Sequence, residues 1–204
     1  LARALAAGPA AFLLDRAVED LADRLAPIQR PFADVLDFGT PGPQAATLIA
    51  ARPTTAGLTR MAEVPALDTP TPVDDLENPG LPEAAYDLAV SLLALHTIND
   101  LPGVFAQIRR ALRPDGLFIA AIPGGDTLSE LRGVLMEAEI ETTGGASPRV
   151  APFADVRTLG QLLQRAGFAL PVADSEALTV RYPSALHLMR DLRAMGATNI
   201  LGDR

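Results

Sequence analysis

Apolar positions follow two different periods along this chain. Between Leu14 and Leu25 they recur every three or four residues with charged side chains between them, which predicts an amphipathic helix ended by Pro27. The apolar runs at 34–38 and 86–91 are short, and the second is apolar on both faces, which is typical of a strand inside a parallel sheet. Other segments return to the helical period. The pattern therefore predicts strands that alternate with helices.

The alternation extends over the whole chain and predicts an α/β fold, with a mostly parallel sheet and helices on both faces. The predicted strands cover 34–38, 54–59, 86–91, 117–122 and 178–182. The predicted helices cover 14–25, 44–51, 101–112, 128–138, a segment after Asp155 that Gly167 closes, and a last segment from Ser184 to Gly196. Residues 65–82 are predicted as mostly loop, and Pro114-Asp115-Gly116 as a turn. Ligands of such folds bind beyond the carboxyl ends of the strands, so the loops after Phe38, Ser91 and Ile122 form the candidate site.

Length and composition narrow the possible functions. A chain of 204 residues predicts one domain, with an N-terminal helix in 1–30 and an α/β core in 31–204. The chain has no cysteine, which excludes disulfides and thiolate metal sites and makes the cytoplasm the default location. A net charge of -8 without a basic cluster argues against nucleic acid as a partner. No apolar run reaches the length of a transmembrane helix, and two distant histidines predict no metal site.

The segment from Asp37 to Pro43 follows the first predicted strand. It resembles the cofactor loop of class I methyltransferases, in which an acidic residue precedes three glycines at alternate positions and S-adenosylmethionine (SAM) is bound. Only Gly39 stands at a glycine position, since Pro41 and Pro43 occupy the other two and proline removes an amide donor. Gly42 supplies some of the flexibility that the prolines remove. On these residues alone, a cofactor loop and a plain strand-to-helix turn remain equally open.

Two further contacts belong to the cofactor site that this resemblance implies. The family places a carboxylate at the end of the second strand, but Leu58 to Met61 contains none and Glu63 is the nearest. Asp74-Asp75 stands where the family has an acidic pair near the adenine, and the alternative for these residues is a solvated loop. The predicted cofactor-binding residues are Asp37, Gly39, Gly42, Asp75 and Ser91.

A closer resemblance lies in the second half of the chain. The run from Ser91 to Pro102 resembles the Ser-x-Leu-x-Leu-His-x-x-Asn-Asp-Leu-Pro motif of one methyltransferase subfamily, and the run from Gly124 to Arg132 is specific to it. These runs and later matching segments are similar to the respiratory complex I assembly factor family, closely after Tyr86. Thr97 departs from the aromatic residue usual in that family, and the family continues beyond the point where this chain ends. The malonyl-carrier methyltransferases of the biotin pathway are similar only in motifs shared across the fold.

The resemblance implies three alternative functions. The first is a SAM-dependent methyltransferase acting on a protein or a small molecule, in complex I assembly. The second is a methyltransferase fold that has lost SAM and serves as a non-enzymatic assembly or interaction factor. The third is a protein arginine hydroxylase, since mitochondrial members are associated with hydroxylating an arginine of a complex I subunit. In each case a complex I subunit is the implied partner. The expected location is bacterial cytoplasm, including the inner-membrane periphery.

The polar residues of the two close motifs are the candidates for chemistry. His96 has a pKa near neutrality and follows a buried strand, so it is a candidate base, or else a core histidine. Asp126 is a second catalytic candidate, and its alternative role is to cap the next helix. Arg132 is suited to bind a carboxylate through two hydrogen bonds. The predicted substrate-binding residues are His96, Asn99, Gly124, Gly125, Asp126 and Arg132.

The space beside Gly39 distinguishes the first two functions. An open, polar cleft is expected of a SAM-dependent enzyme. A cleft filled by the side chains of Pro41, Pro43 or Arg60 is expected of a fold that has lost its cofactor.

Overall fold

Five parallel strands form the sheet of the computed structural model, which describes residues 10–62, 71–72 and 75–197. Their order is β3-β2-β1-β4-β5, and every printed pair is parallel. The strands are β1 (Asp34–Phe38), β2 (Gly57–Ala62), β3 (Thr71–Pro72), β4 (Tyr86–Leu92) and β5 (Leu112–Ala121). The predicted α/β class and parallel sheet are confirmed.

Helices cover both faces of this sheet, as the alternating pattern predicts. The described helices are α1 (Phe12–Leu25), α2 (Gln44–Ala50), α3 (Leu101–Ala111), α4 (Ser129–Thr143), α5 (Val156–Arg165) and α6 (Ala185–Ala194). One apolar cluster joins α1 and α2 to one face of the sheet. A second cluster joins α3 to the other face, with the apolar side of α5 packed against it. The sheet is therefore buried on both sides, which explains the continuous apolar runs of its central strands.

The pleat of β1 shows how sequence selects the two faces. Val35 packs in the cluster of α1 and α2, whereas Leu36 and Phe38 pack in the cluster of α3. Successive side chains of a strand point to opposite faces, so Asp37 lies on the same side as Val35. Asp37 has no exposed surface, which places a carboxylate inside the apolar layer between the sheet and α1 and α2.

Three predicted elements differ from the structure. The second strand begins at Gly57 instead of Thr54, because the amides of Ala56 and Gly57 both donate to the carbonyl of Ala33 and turn the chain into the sheet. The predicted turn at 114–116 lies inside β5, with Asp115 at a φ of 60° beside an irregular register between β4 and β5. Residues 178–182 form no strand, since none of the described strands pairs with them. Residues 65–70 and 73–74 of the predicted loop lie outside the described residues.

The described residues fall into two compact units. The sheet unit consists of Ala11–Ile122 and Arg157–Ala173. The second unit comprises the described residues of Leu1–Ala10, Pro123–Val156 and Asp174–Arg204. The single domain expected from the chain length stays a prediction. Among the described residues, no helix has the length and apolar character needed to span a membrane.

An ionic clamp joins the amino ends of three strands, opposite to the candidate site. Arg113 contacts Asp34 and Asp87 with N–O distances of 2.9 Å each. The second carboxylate oxygen of Asp87 accepts hydrogen bonds from the amides of Ala33 and Asp34, both at 2.9 Å. Partial burial alone would raise the pKa of Asp87, but these amides and Arg113 outweigh it and lower the pKa. Asp87 therefore stabilises the start of β1, β4 and β5 together.

We expect Asp87→Ala to lower the free energy of unfolding by about 1–3 kcal/mol, because two backbone amides lose their acceptor and Arg113 loses a partner. Urea titration at pH 7 measures this, with the exposed helix residue Asp23→Ala as the matched control. The pKa of Asp87 is lowered on folding, so its contribution is present above the unfolded pKa and is lost as the pH falls below about 4. Equal stability of the two variants at pH 7 would contradict the clamp.

Candidate functional site

The loops after β1 and β4 meet at Gly39, which follows β1 directly. Its φ is 76°, and its amide donates to the carbonyl of Met61 at 2.7 Å. A Cβ built on Gly39 would lie 2.8 Å from the Cβ of Ala94 and 3.2 Å from Cδ1 of Leu76. Both the backbone conformation and the close approach of these two side chains therefore require glycine here. The space over this glycine is occupied by the protein itself.

Beneath the same loop, Asp37 of β1 forms an ion pair with Arg60 of β2. The two residues are register partners in adjacent strands, and Nε of Arg60 lies 3.3 Å from Oδ2 of Asp37. Both side chains are buried, with exposures of 6% for Arg60 and 0% for Asp37. A buried cation and a buried anion each carry a large desolvation cost, so removing one alone would leave the other uncompensated.

Arg60 also holds the loop that follows β1. Its Nη2 donates to the carbonyl of Thr40 at 3.1 Å and to the carbonyl of Gly42 at 2.6 Å. The hydroxyl of Thr40 accepts a hydrogen bond from the amide of Leu92, at 3.2 Å. The loop is thus tied to β2 through Arg60 and to β4 through Thr40. Pro41 and Pro43 are exposed and do not fill the space beside Gly39.

Burial determines the ionisation of Asp37. It raises the pKa of the carboxyl from 3.8 to about 6, although the Thr40 hydroxyl and the Arg60 guanidinium both act to lower it. The folded protein therefore binds a proton at Asp37 more tightly than the unfolded chain does.

A second loop, from Leu93 to Asp100, carries His96. Leu93 turns the chain out of β4 at a φ of 55°, and a short 3-10 helix, Leu95–Thr97, follows. His96 is half-buried, and burial lowers its pKa, which favours the neutral imidazole at pH 7. A neutral imidazole can accept a proton, so the geometry is compatible with the predicted role as a base.

Glu77 fixes the far end of this loop. Its Oε1 accepts from the amide of Asn99 at 2.7 Å, from Nδ2 of Asn99 at 3.1 Å and from the amide of Asp100 at 3.4 Å. Nε2 of Gln107 donates to the carbonyl of Glu77 at 2.7 Å, and Asp100 caps α3 through the amide of Gly103. Asn99 was predicted to bind substrate, but its backbone amide and its side chain both donate hydrogen bonds to Glu77.

The predicted cofactor residues Ser91, Asp75 and Gly42 differ from one another in exposure and contacts. Ser91 has no exposed surface. Asp75 is exposed and accepts from the amide of Glu77 at 2.7 Å and from Nδ2 of Asn78 at 2.8 Å, and these bonds lower its pKa. Gly42 packs against protein atoms, since a Cβ there would lie 2.8 Å from Cδ2 of Leu14.

The remaining predicted substrate residues belong to the second unit, while His96 and Asn99 belong to the sheet unit. The amide of Thr127 donates to the carbonyl of Gly124 at 2.9 Å, which closes a turn containing Gly125 and Asp126. Nη2 of Arg132 lies 3.4 Å from the carbonyl of Thr127. Of the two roles left open for Asp126, capping of the next helix is not observed: Leu128 stands at the N-cap, with a φ of 57° and no side-chain cap bond.

Sequence reasoning missed the structural roles of Thr40, Leu76 and Glu77, and named Arg60 only as one of three candidates to fill a cleft beside Gly39. One signal was available for Arg60, since a cation in a predicted buried strand requires an anion, and Asp37 is the carboxylate of the neighbouring strand. Nothing in the sequence marks Leu76 or Glu77, because their contacts with Gly39 and Asn99 join distant segments. Within the described ranges, no three His, Asp or Glu side chains gather as a metal site.

The raised pKa of Asp37 predicts a pH dependence of stability. Relative to Asp37→Asn, the wild-type free energy of unfolding should fall by up to about 3 kcal/mol between pH 4 and pH 7, because ionising the buried carboxyl is unfavourable in the folded state. Urea titrations of both proteins across this range measure the difference. The exposed Asp23→Asn serves as the control. A difference that does not change with pH would show that Asp37 titrates normally.

We expect Glu77→Ala to release the loop that carries His96. The amides of Asn99 and Asp100 should exchange with solvent about tenfold faster, because their shared acceptor is lost. Hydrogen exchange with mass spectrometry or NMR measures this. Glu83→Ala, on the same connecting segment, is the matched control. Unchanged exchange at both amides in Glu77→Ala would refute the anchoring role.

Curated relatives with sequence similarity fall into two groups. The chain is 49% identical to "Arginine-hydroxylase NDUFAF5, mitochondrial" of Rattus norvegicus over 123 residues, which covers 60% of this chain and 36% of that protein. It is 43% identical to the malonyl-[acyl-carrier protein] O-methyltransferase of Xylella fastidiosa over 122 residues, covering 60% of this chain and 39% of the relative. The second resemblance is therefore broader than the fold-wide motifs to which the sequence analysis restricted it. The match spans less than half the length of either relative.

Solved structures give the same fold. An S-adenosylmethionine dependent methyltransferase from Mesorhizobium loti superposes with a TM-score of 0.55 at 20% identity, covering 78% of this chain and 84% of that one. The family model described as "Methyltransferase domain" matches residues 12–171, which is more than three quarters of the chain. This chain therefore belongs to the methyltransferase domain family.

Proposed function

We propose that this chain is a protein-binding factor in the assembly of respiratory complex I, built on a methyltransferase fold that does not hold SAM. The observation that carries the second part is the closed loop after β1. The first part is supported by the resemblance of the motifs at 91–102 and 124–132 to complex I assembly factors, and by the 49% identity to a relative named as an arginine hydroxylase.

The loop glycines pack closely against the protein's own side chains. In a SAM site, glycines after the first strand let the ligand approach the backbone. Here the positions that a Cβ would take on Gly39 are in contact with Ala94 and Leu76, and those on Gly42 with Gln44 and Leu14. Leu14, Leu76 and Ala94 therefore lie against the loop, while Pro41 and Pro43 are exposed.

Several backbone groups of the loop bond within the protein, whereas Oγ of Ser91 has no hydrogen-bond partner among the described residues. Asp37 and Ser91 have no exposed surface, so neither can touch a ligand in this conformation. The carbonyls of Thr40 and Gly42 accept from Arg60, and the amide of Gly39 donates to Met61. Pro41 and Pro43 supply no amides at all. The contacts of these residues therefore support a loop that does not hold SAM.

Calorimetry with SAM and S-adenosylhomocysteine tests the cofactor claim. We expect no heat of binding and no thermal shift at millimolar ligand. The matched control is a methyltransferase with a three-glycine loop, titrated under the same conditions. Binding by this chain with a dissociation constant below about 100 μM, equivalent to about -5.5 kcal/mol, would overturn the proposal and favour SAM-dependent transfer.

The assembly claim needs a separate experiment. In a bacterial host that has complex I and lacks its own copy of the relative, expression of this chain should restore assembled complex I, measured by native gel and by NADH oxidation in membranes. Arg60→Met should fail to restore it, because Asp37 is left buried without its counter-charge. If the wild-type chain leaves complex I absent, the assembly role is refuted, whatever calorimetry shows.

A further inference from the structure

The second unit leaves several large apolar side chains exposed. None of its described residues, within 123–156 and 174–197, is fully buried. Neither α4 nor α6 contributes a buried residue. Burial of apolar area is the dominant favourable term in folding, so covering the exposed apolar side chains of these helices with another surface is favourable.

We call the exposed side of α4 the α4 outer face. Its apolar members are Val134, Met136 and Ile140, exposed by 62%, 50% and 51%. Glu130, Glu137 and Glu141 accompany them and are also exposed. At 3.6 residues per turn, Val134 aligns with the three glutamates, while Met136 and Ile140 form the adjacent row. An apolar strip therefore runs along an acidic ridge.

The fourth glutamate of α4 shows the contrast. Glu139 is held by Nε of Arg149 at 3.2 Å and by the amide of Ser147 at 3.1 Å, so its charge is compensated within the unit. Among the described residues, Glu130, Glu137 and Glu141 have no such ion pair. Their charge is available to a partner.

We propose that the α4 outer face is the docking surface for a basic protein partner, one that presents Lys or Arg around an apolar patch. Apolar side chains of the partner would cover Val134, Met136 and Ile140, and its cations would pair with the three glutamates. A second copy of this chain is disfavoured as the occupant, because it would bring two acidic ridges together. The inference rests on the proposed function only in taking the partner to be a protein.

The probe is a labelled amphipathic helical peptide with leucine on its apolar face and lysine on its polar face. We expect the chain to bind it, measured by fluorescence anisotropy, and higher salt to weaken the binding. A peptide of the same pattern with glutamate in place of lysine should not bind. Equal binding of the two peptides, or no binding of the lysine peptide, would overturn the proposal.

Two sets of variants locate the surface. The first variant combines Val134→Ser, Met136→Ser and Ile140→Ser, and the second combines Glu130→Gln, Glu137→Gln and Glu141→Gln. Each variant should lower the affinity for the lysine peptide by at least about tenfold, since several contacts are removed at once. Circular dichroism verifies that each variant folds.

The chain offers matched controls for both sets. Leu170→Ser with Val172→Ser removes apolar side chains that are exposed by 91% and 84% on the sheet unit. Glu19→Gln, Asp20→Asn and Asp23→Asn remove three acidic charges from α1. Both control variants should bind the lysine peptide with an affinity within about twofold of that of the wild-type chain. If a control weakens binding as much as its α4 counterpart, the α4 outer face is not the site.

Three further outcomes separate the possible failures. A dimer in light scattering that the apolar α4 variant abolishes would assign this face to a second copy and overturn the proposal. Peptide binding at α4 by a chain that does not restore complex I would refute the assembly role alone. Restoration of complex I without peptide binding would refute the docking surface alone.

Discussion

The buried pair of Asp37 and Arg60 is the interaction on which the candidate site depends. It joins β1 to β2 inside the layer covered by α1 and α2, where an isolated charge of either sign would be strongly unfavourable. Through the same guanidinium, the pair fixes the carbonyls of Thr40 and Gly42. A loop that lacks two amides at Pro41 and Pro43 is thus held in one conformation by a side chain from the neighbouring strand.

That conformation has a consequence for function. Arg60 holds the loop through its carbonyls, and Gly39 packs against Leu76 and Ala94 from two other segments of the chain. Glu77 links the same segment to the loop of His96 through Asn99. The carboxyl edge of the sheet is therefore organised by internal contacts, in the region where related folds bind their ligand.

The two units differ in how they are stabilised. The sheet unit buries two apolar clusters, one on each face of the sheet. The described part of the second unit buries no residue fully, although α4 carries Val134, Met136 and Ile140. The docking surface proposed for a basic partner lies on this less buried unit.

Local pattern in the sequence determined most elements of the sheet unit, because helical and strand periods are properties of neighbouring residues. The bounds of β1 were predicted correctly, and β4 and α3 to within a residue. Local pattern did not determine whether residues 178–182 form a strand, since a strand exists only if another strand pairs with it. Nor did it decide the state of the loop at Gly39. That depends on Arg60, Leu76 and Ala94, which lie 21, 37 and 55 residues further along the chain and reach the glycine loop only through folding. The sequence by itself thus determined the fold class and the family resemblance, while the tertiary structure alone decided how the loop at Gly39 packs, because its contacts join distant segments.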